Sequence, residues 1–200
     1  VKSRGLGDVY KRQVLDSMSA FRQKLAEDFD LIDKTSWMPV WITDFPMFDE
    51  TPEGTITPSH HPFTKSLSTL DLLEKSPEQA TSEAYDLVLN GFELGGGSMR
   101  IHDIEEQKKI FSLLGISNEE AKQKFGFFLE ALEYGCPPHG GIAFGLDRIV
   151  MLMANEDSIR DVIAFPKTQS AMCLMTNAPD KVSNDELEDL SIKSTFEETD

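Results

Sequence analysis

A short apolar run, Gly140-Gly141-Ile142-Ala143-Phe144, is followed by Gly145-Leu146-Asp147-Arg148, which opens a helical stretch ending near Met153. A strand that ends in glycine and runs into a helix lets the backbone approach a ligand closely. The helix start also presents N–H groups and the positive end of a dipole to an anion. Arg148, in the first turn, adds a permanent forked cation suited to phosphate oxygens. Farther upstream, Asp86 and Glu93 flank Asn90-Gly91, the dipeptide that best favours the tight turn of an antiparallel hairpin. Such a turn folds both carboxylates into one neighbourhood, where they could share a cation. Magnesium takes one or two carboxylates together with phosphate oxygens. On the residues alone, two solvated strand carboxylates are the simpler account. Arg100 lies beyond Gly95-Gly96-Gly97 and could grip a planar carboxylate bidentately, or pair weakly with one of the chain's many acidic residues.

Other residues that invite chemistry offer less. His60-His61 is a poor metal site, because neighbours in extended chain point to opposite sides and no further His or Cys stands at a zinc-like spacing. His139, in Pro137-Pro138-His139-Gly140-Gly141, could order its loop as readily as touch a substrate. Cys136 and Cys173 are too few for a disulfide framework, show no activating arrangement, and are read as structural. No Ser/His/Asp set is legible.

The elements that must position these residues follow from pattern. Two β-rich segments meet at Asn90-Gly91, and Gly95-Gly96-Gly97 is expected to break the second of them, through a bulge or a ligand against the backbone. Asp103 with Glu106 can cap a helix running to Gly115; Ser117 with Glu120 can cap the next, ending near Tyr134-Gly135. Strands, capped helices and one more strand describe an α+β fold, an antiparallel sheet flanked by helices. Val14, Met18, Phe21 and Leu25 fall at helix spacing in a run that ends near Asp30. Residues 1–13 carry four basic residues against one acidic, show no period, and read as foreign or disordered.

Composition narrows the class. The 200 residues can bury one domain's core, and the net charge of −16 excludes nucleic-acid binding through a broad basic face. The stretch from Asp180 to Asp200 holds eight acidic and two basic residues and reads as a solvated tail. No apolar run is long enough to span a membrane, so the cytoplasm is the expected compartment.

The words of several tracts carry a resemblance. Phe125 to Met153, with PPHGGIAFGLDR at its centre, resembles motif 3 of the class II aminoacyl-tRNA synthetases, and its wording is similar to the bacterial aspartyl members. WITDFPMF from Trp41, HHPFT from His60, YDLVLNGFELGGGSMRIH from Tyr85, RDVIAFPKT from Arg160 and CLMT from Cys173 stand in the family's order, so Val14 to Ile192 can be laid on it. The resemblance implies a partial class II catalytic domain at 31–178, the end of an insertion domain or a linking helix at 14–30, and an acidic C-terminal extension at 179–200.

The resemblance also implies the roles. Glu93, Gly145, Leu146, Asp147 and Arg148 would bind ATP; Asp86 and Glu93 would hold Mg2+; His60 and Arg100 would contact L-aspartate; and Glu93, Arg100 and Arg148 would be the catalytic set. The implied reaction is two-step: ATP and aspartate give the aspartyl-adenylate, and the acyl group then passes to tRNA. The substrate's own carboxylate attacks, so positioning and charge neutralisation suffice. The family's dimer-forming motif 1, its motif 2 loop and its anticodon-binding barrel are not found, so a piece of a longer, homodimeric ligase is expected, inactive alone. Two readings stay beside it: another ATP-dependent ligase on this fold, such as an asparagine-forming amide ligase or an asparaginyl enzyme, and a non-catalytic binding module derived from it.

Overall fold

The computed structural model describes residues 4–33, 35–51 and 53–195. It divides into two compact units, residues 1–146 and 147–200, which are considered separately.

The first unit begins with α1, Arg4–Asp28. This helix starts well before Val14, where the apolar period begins, so it includes residues 4–13 although they show no such period; residues 1–3 lie outside the described residues. The apolar period marks only where a helix has a face to bury. Arg, Lys, Gln and Leu can extend a helix with no such face, because they lose little rotamer freedom in it. Val14, Met18 and Phe21 are in fact exposed along it.

The sheet is built around the hairpin that the sequence marks. Strands β4, Ala84–Leu89, and β5, Phe92–Met99, pair antiparallel, with Leu89 opposite Phe92. Asn90 and Gly91 both have positive φ, 49° and 87°, as a two-residue turn matched to strand twist requires. Asn90 does more than turn the chain: its Oδ1 accepts from Met38 N at 2.9 Å and its Nδ2 donates to Ser36 O at 2.8 Å. Those bonds deliver strand β1, Pro39–Ile42, to the outer side of β4. On the other side β5 pairs with β6, Gly140–Phe144, giving the antiparallel order β1-β4-β5-β6. A separate two-stranded ribbon joins β2, Phe48–Glu50, to β3, Ile56–Pro58.

The triple glycine does not break β5, contrary to the expectation from composition. The strand runs through it, and the irregularity sits one step earlier, where Val88 faces Glu93 but Leu87 faces Gly95 and Leu94 is the extra residue. The glycines are needed for a different reason. A Cβ on Gly97 would collide with the carbonyl oxygen of Gly141, and one on Gly95 would lie 2.7 Å from Ala143 O, so β6 closes against β5 only over bare backbone.

Helices cover the unit where the caps predict them. Helix α3, Ile104–Leu113, is capped by Asp103, whose carboxylate accepts from Glu106 N; α4, Asn118–Glu133, is capped by Ser117, which accepts from Glu120 N. The short α2, Leu70–Lys75, is capped by Thr69. A core of Met47, Phe48, Leu73, Ala80, Ile101 and Ile110 lies among these elements. Beside it Phe63 meets Phe111, Phe125 and Phe128 edge-on, at centroid distances of 6.1, 5.4 and 5.1 Å.

The second unit carries α5, which runs from Leu146 to Met153, and α6, Asn184–Asp189. The acidic tail is thus partly ordered: Ser183 and Glu186 form a reciprocal capping box, and the Ser183 hydroxyl and N–H hold the Glu186 carboxyl below its usual range. Arg160 donates through Nη1 to Lys167 O at 2.8 Å, closing the loop that contains Phe165-Pro166.

Candidate active site

Asp86 and Glu93 stand on adjacent strands, and the pleat turns both toward the α-carbon of Gly96, which pairs with Asp86 across the ladder. A Cβ on Gly96 would meet Asp86 Oδ1 and would lie 3.3 Å from Glu93 Oε1. The missing side chain is therefore the space in which the two carboxylates converge. Burial first, and then the negative charge of Glu93, push the Asp86 carboxyl above its usual range, while His60 pulls it back. Two like charges held together in this way gain from any cation placed between them. Among the described residues no three His, Cys, Asp or Glu side chains cluster as a metal cage, so the pair could supply only part of a coordination shell. That fits a magnesium ion, which keeps several water or phosphate ligands.

Arg100 follows β5 and is tied down on both sides. Its N–H donates to His139 O at 2.9 Å, and an isolated bridge joins it to Thr64. Its guanidinium reaches His61, with Nη1 3.2 Å from Nδ1. His61, Phe63, Arg100, Phe128 and His139 line a cavity of about 390 Å³. One permanent cation against an apolar aromatic wall is an arrangement that selects a small anionic group.

The resemblance puts His60 in a loop over the amino-acid pocket, in contact with aspartate; the Arg100 guanidinium itself is met by the neighbouring His61. His60 is exposed, its ring packs edge-on to Phe45 at 5.1 Å, and its charge is felt by Asp86. The sequence signal was the alternation itself: two neighbours in extended chain face opposite ways, but nothing in the chain says which faces which. Ser98 was also passed over. It is buried, its Oγ has no partner among the described residues, and strand alternation puts it on the face shared by Gly96 and Arg100.

Strand β6, Gly145 and α5 follow one another as the anion-binding pattern requires. Gly145, however, donates its N–H to Leu94 O at 2.7 Å, so this group is engaged in the fold rather than offered to a ligand. Arg148 is exposed in the first turn of α5, in the second unit with Asp147, while Leu146, also exposed, ends the first unit.

Comparison with known proteins decides the family. The model of the tRNA synthetases class II (D, K and N) matches residues 10–169, four-fifths of the chain. The chain belongs to this class II family. An aspartate–tRNA(Asp/Asn) ligase of Ruthia magnifica subsp. Calyptogena magnifica is 54% identical over 187 residues, covering 94% of this chain and 32% of the relative. The class II chain described here thus spans about a third of the length of that curated relative. Solved structures that resemble it include the Entamoeba histolytica asparaginyl-tRNA synthetase in complex with asparaginyl-adenylate, at 25% identity and TM-score 0.49, covering 66% of this chain and 26% of that one. The aspartyl tRNA synthetase of the same organism is 24% identical with TM-score 0.49, over 74% of this chain and 25% of that one. The antiparallel sheet with flanking helices is the class II catalytic architecture in part.

Proposed function

We propose that this chain forms the C-terminal part of the catalytic domain of an aspartate–tRNA ligase, which activates L-aspartate with ATP and passes it to tRNA. The observation that carries the reading is the convergence of Asp86 and Glu93 over Gly96, with Arg100 farther along the same strand path facing a separate anion-selective cavity. One site suits a cation with phosphates and the other a carboxylate, as joining an acidic amino acid to a nucleotide demands. The 54% identical relative, named for aspartate and for both tRNA(Asp) and tRNA(Asn), supports the substrate class.

Magnesium held by Asp86 and Glu93 would shield phosphate charge during this reaction. The chain's own residues orient and neutralise. Arg100 grips the side-chain carboxylate of aspartate, which leaves the α-carboxylate to attack the α-phosphate of ATP and displace pyrophosphate. Arg148, with Leu146 and Asp147 at the start of α5, meets the nucleotide phosphates as negative charge develops. No side chain is needed as a nucleophile. The longer protein acts as a homodimer in the cytoplasm. No helix among the described residues is long and apolar enough to cross a membrane. Spanning 32% of its curated relative, the 200-residue chain alone should not charge tRNA.

The test is Arg148→Ala in the full-length protein, followed by aspartate-dependent exchange of pyrophosphate into ATP. Adenylate formation should be lost. Exchange at the wild-type rate removes Arg148 from the phosphate site. Charging assays with both tRNA(Asp) and tRNA(Asn) then define the acceptor.

A further inference from the structure

His61 sits at the point where three segments of the first unit are tied together. Gln107, fully buried on α3, donates to Pro62 O at 2.8 Å; Ile101 N donates to Phe63 O at 3.0 Å; and Lys65 N donates to Met99 O at 3.0 Å. These bonds fix the loop carrying His61 against the end of β5. Within the loop, the backbone N–H of Phe63 points at His61 Nδ1 from 3.2 Å. A backbone N–H can only donate, so Nδ1 is an acceptor and the ring is neutral, with its proton on Nε2; the Thr64 hydroxyl, 3.3 Å from Nδ1 and 3.5 Å from Nε2, can accept from the latter. The Arg100 guanidinium also can only donate, and it approaches the same nitrogen at 3.2 Å.

We infer that His61 is a positioning residue for Arg100: its unprotonated Nδ1 accepts from Nη1 and fixes the direction in which the guanidinium presents its remaining N–H groups to a carboxylate in the cavity. This deepens the proposed function and rests on the reading of Arg100 given there. An arginine on a flexible stem recognises a carboxylate bidentately only when its plane is held, and a neutral acceptor holds the plane without cancelling the charge. Burial, then the positive charge of Arg100, then His60, keep the His61 pKa below its usual value, in keeping with a ring that stays neutral. Arg100 and His60 are the charged or titratable groups acting on it, and His139 lines the same cavity.

The experiment uses the full-length protein, with His61→Leu, His61→Asn and Arg100→Leu compared by aspartate-dependent pyrophosphate exchange across pH. His61→Leu should raise KM for aspartate about tenfold to a hundredfold, as expected for one lost hydrogen bond to a charged group, with KM for ATP unchanged. Asparagine can place its Oδ1 where Nδ1 stood, so His61→Asn should recover most of that affinity. The wild type should show a rise in aspartate KM as acid protonates the imidazole, and His61→Asn should remove it. A His61→Leu enzyme with normal aspartate KM, beside an Arg100→Leu enzyme that has lost aspartate activation, overturns the inference and leaves the reading of Arg100 standing. If Arg100→Leu activates aspartate normally, that reading falls and the inference with it. Should His61→Leu fail to fold, the asparagine variant decides: an unchanged acid limb means the ring only packs.

Discussion

Gly96→Ala separates a glycine kept for a site from glycines kept for packing. The new Cβ would meet Asp86 Oδ1, with Glu93 Oε1 at 3.3 Å and Asp86 Cγ at 3.4 Å. All three atoms belong to side chains, which can swing away at a cost of about 0.5–1.5 kcal/mol for a disturbed rotamer. The strand should therefore survive. What fails to survive is the convergence of the carboxylates, and losing one hydrogen-bond-strength contact to a charged group costs roughly 1.5–3 kcal/mol, or about tenfold to a hundredfold in affinity. In the full-length protein, the magnesium concentration giving half-maximal pyrophosphate exchange should rise by that factor while KM for aspartate stays within about twofold. Gly97→Ala is the control. Its Cβ would run into the backbone of Gly141, which moves only if β6 parts from β5, so this variant should lose folded protein rather than magnesium affinity. A Gly96→Ala enzyme with unchanged magnesium dependence would refute the carboxylate pair as the cation site. Equal loss of folding in both variants would show that Gly96 is packing too.

Arg100→Leu should collapse aspartate activation by on the order of a hundredfold to several thousandfold, since breaking a buried charge pair costs ~3–5 kcal/mol, with ATP affinity nearly kept; equal loss of both substrates would mark Arg100 as scaffold. Because burial ranks ahead of Glu93 among the causes of the raised Asp86 pKa, Glu93→Gln should lower the Asp86 midpoint in a carboxyl NMR titration without returning it to its usual value. In stability terms the ionised Asp86 is a penalty on the fold. It is relieved as pH falls through the raised native midpoint toward 3.8, and Glu93→Gln should shrink that window, as read by denaturant melts against pH.

Much of the fold was legible because it is locally determined. Asn90-Gly91 turns where the dipeptide says it must, and Asp103 and Ser117 start helices because each finds its own backbone N–H three residues on. The same local rule applies at Ser183-x-x-Glu186, but the surrounding charge run hid it, since composition averages over a cap that depends on two residues. The start of α1 was not legible from apolar spacing because that period begins only at Val14. The triple glycine was misread for a non-local reason: what Gly95 and Gly97 accommodate is β6, more than forty residues downstream in the chain, whose approach no local pattern encodes. The carboxylate pair was readable as neighbours from the hairpin. That His61 is the one of the two histidines to meet Arg100 was not readable, because the loop is anchored by Gln107 through a long-range bond.

The acidic balance of the chain and the placement of Arg100 belong together. With a net charge of −16, a lysine or arginine on this surface meets carboxylates readily, and Lys24, Lys65, Lys75, Lys108, Lys109 and Lys124 each form ion pairs with Asp or Glu. Such pairs are worth little where they are exposed, and they compensate the cation. Arg100 is treated differently: it is half-buried, its guanidinium faces an imidazole nitrogen that can accept a hydrogen bond without carrying negative charge, and the rest of its cavity is largely aromatic. Among the described residues no ion pair to Asp or Glu is seen for this guanidinium, and a ligand carboxylate that shields it from water would be attracted more strongly than at the exposed surface lysines. If Arg100 reads the substrate carboxylate as proposed, selection in a chain this acidic depends less on how many cations are present than on keeping one of them away from the chain's own carboxylates.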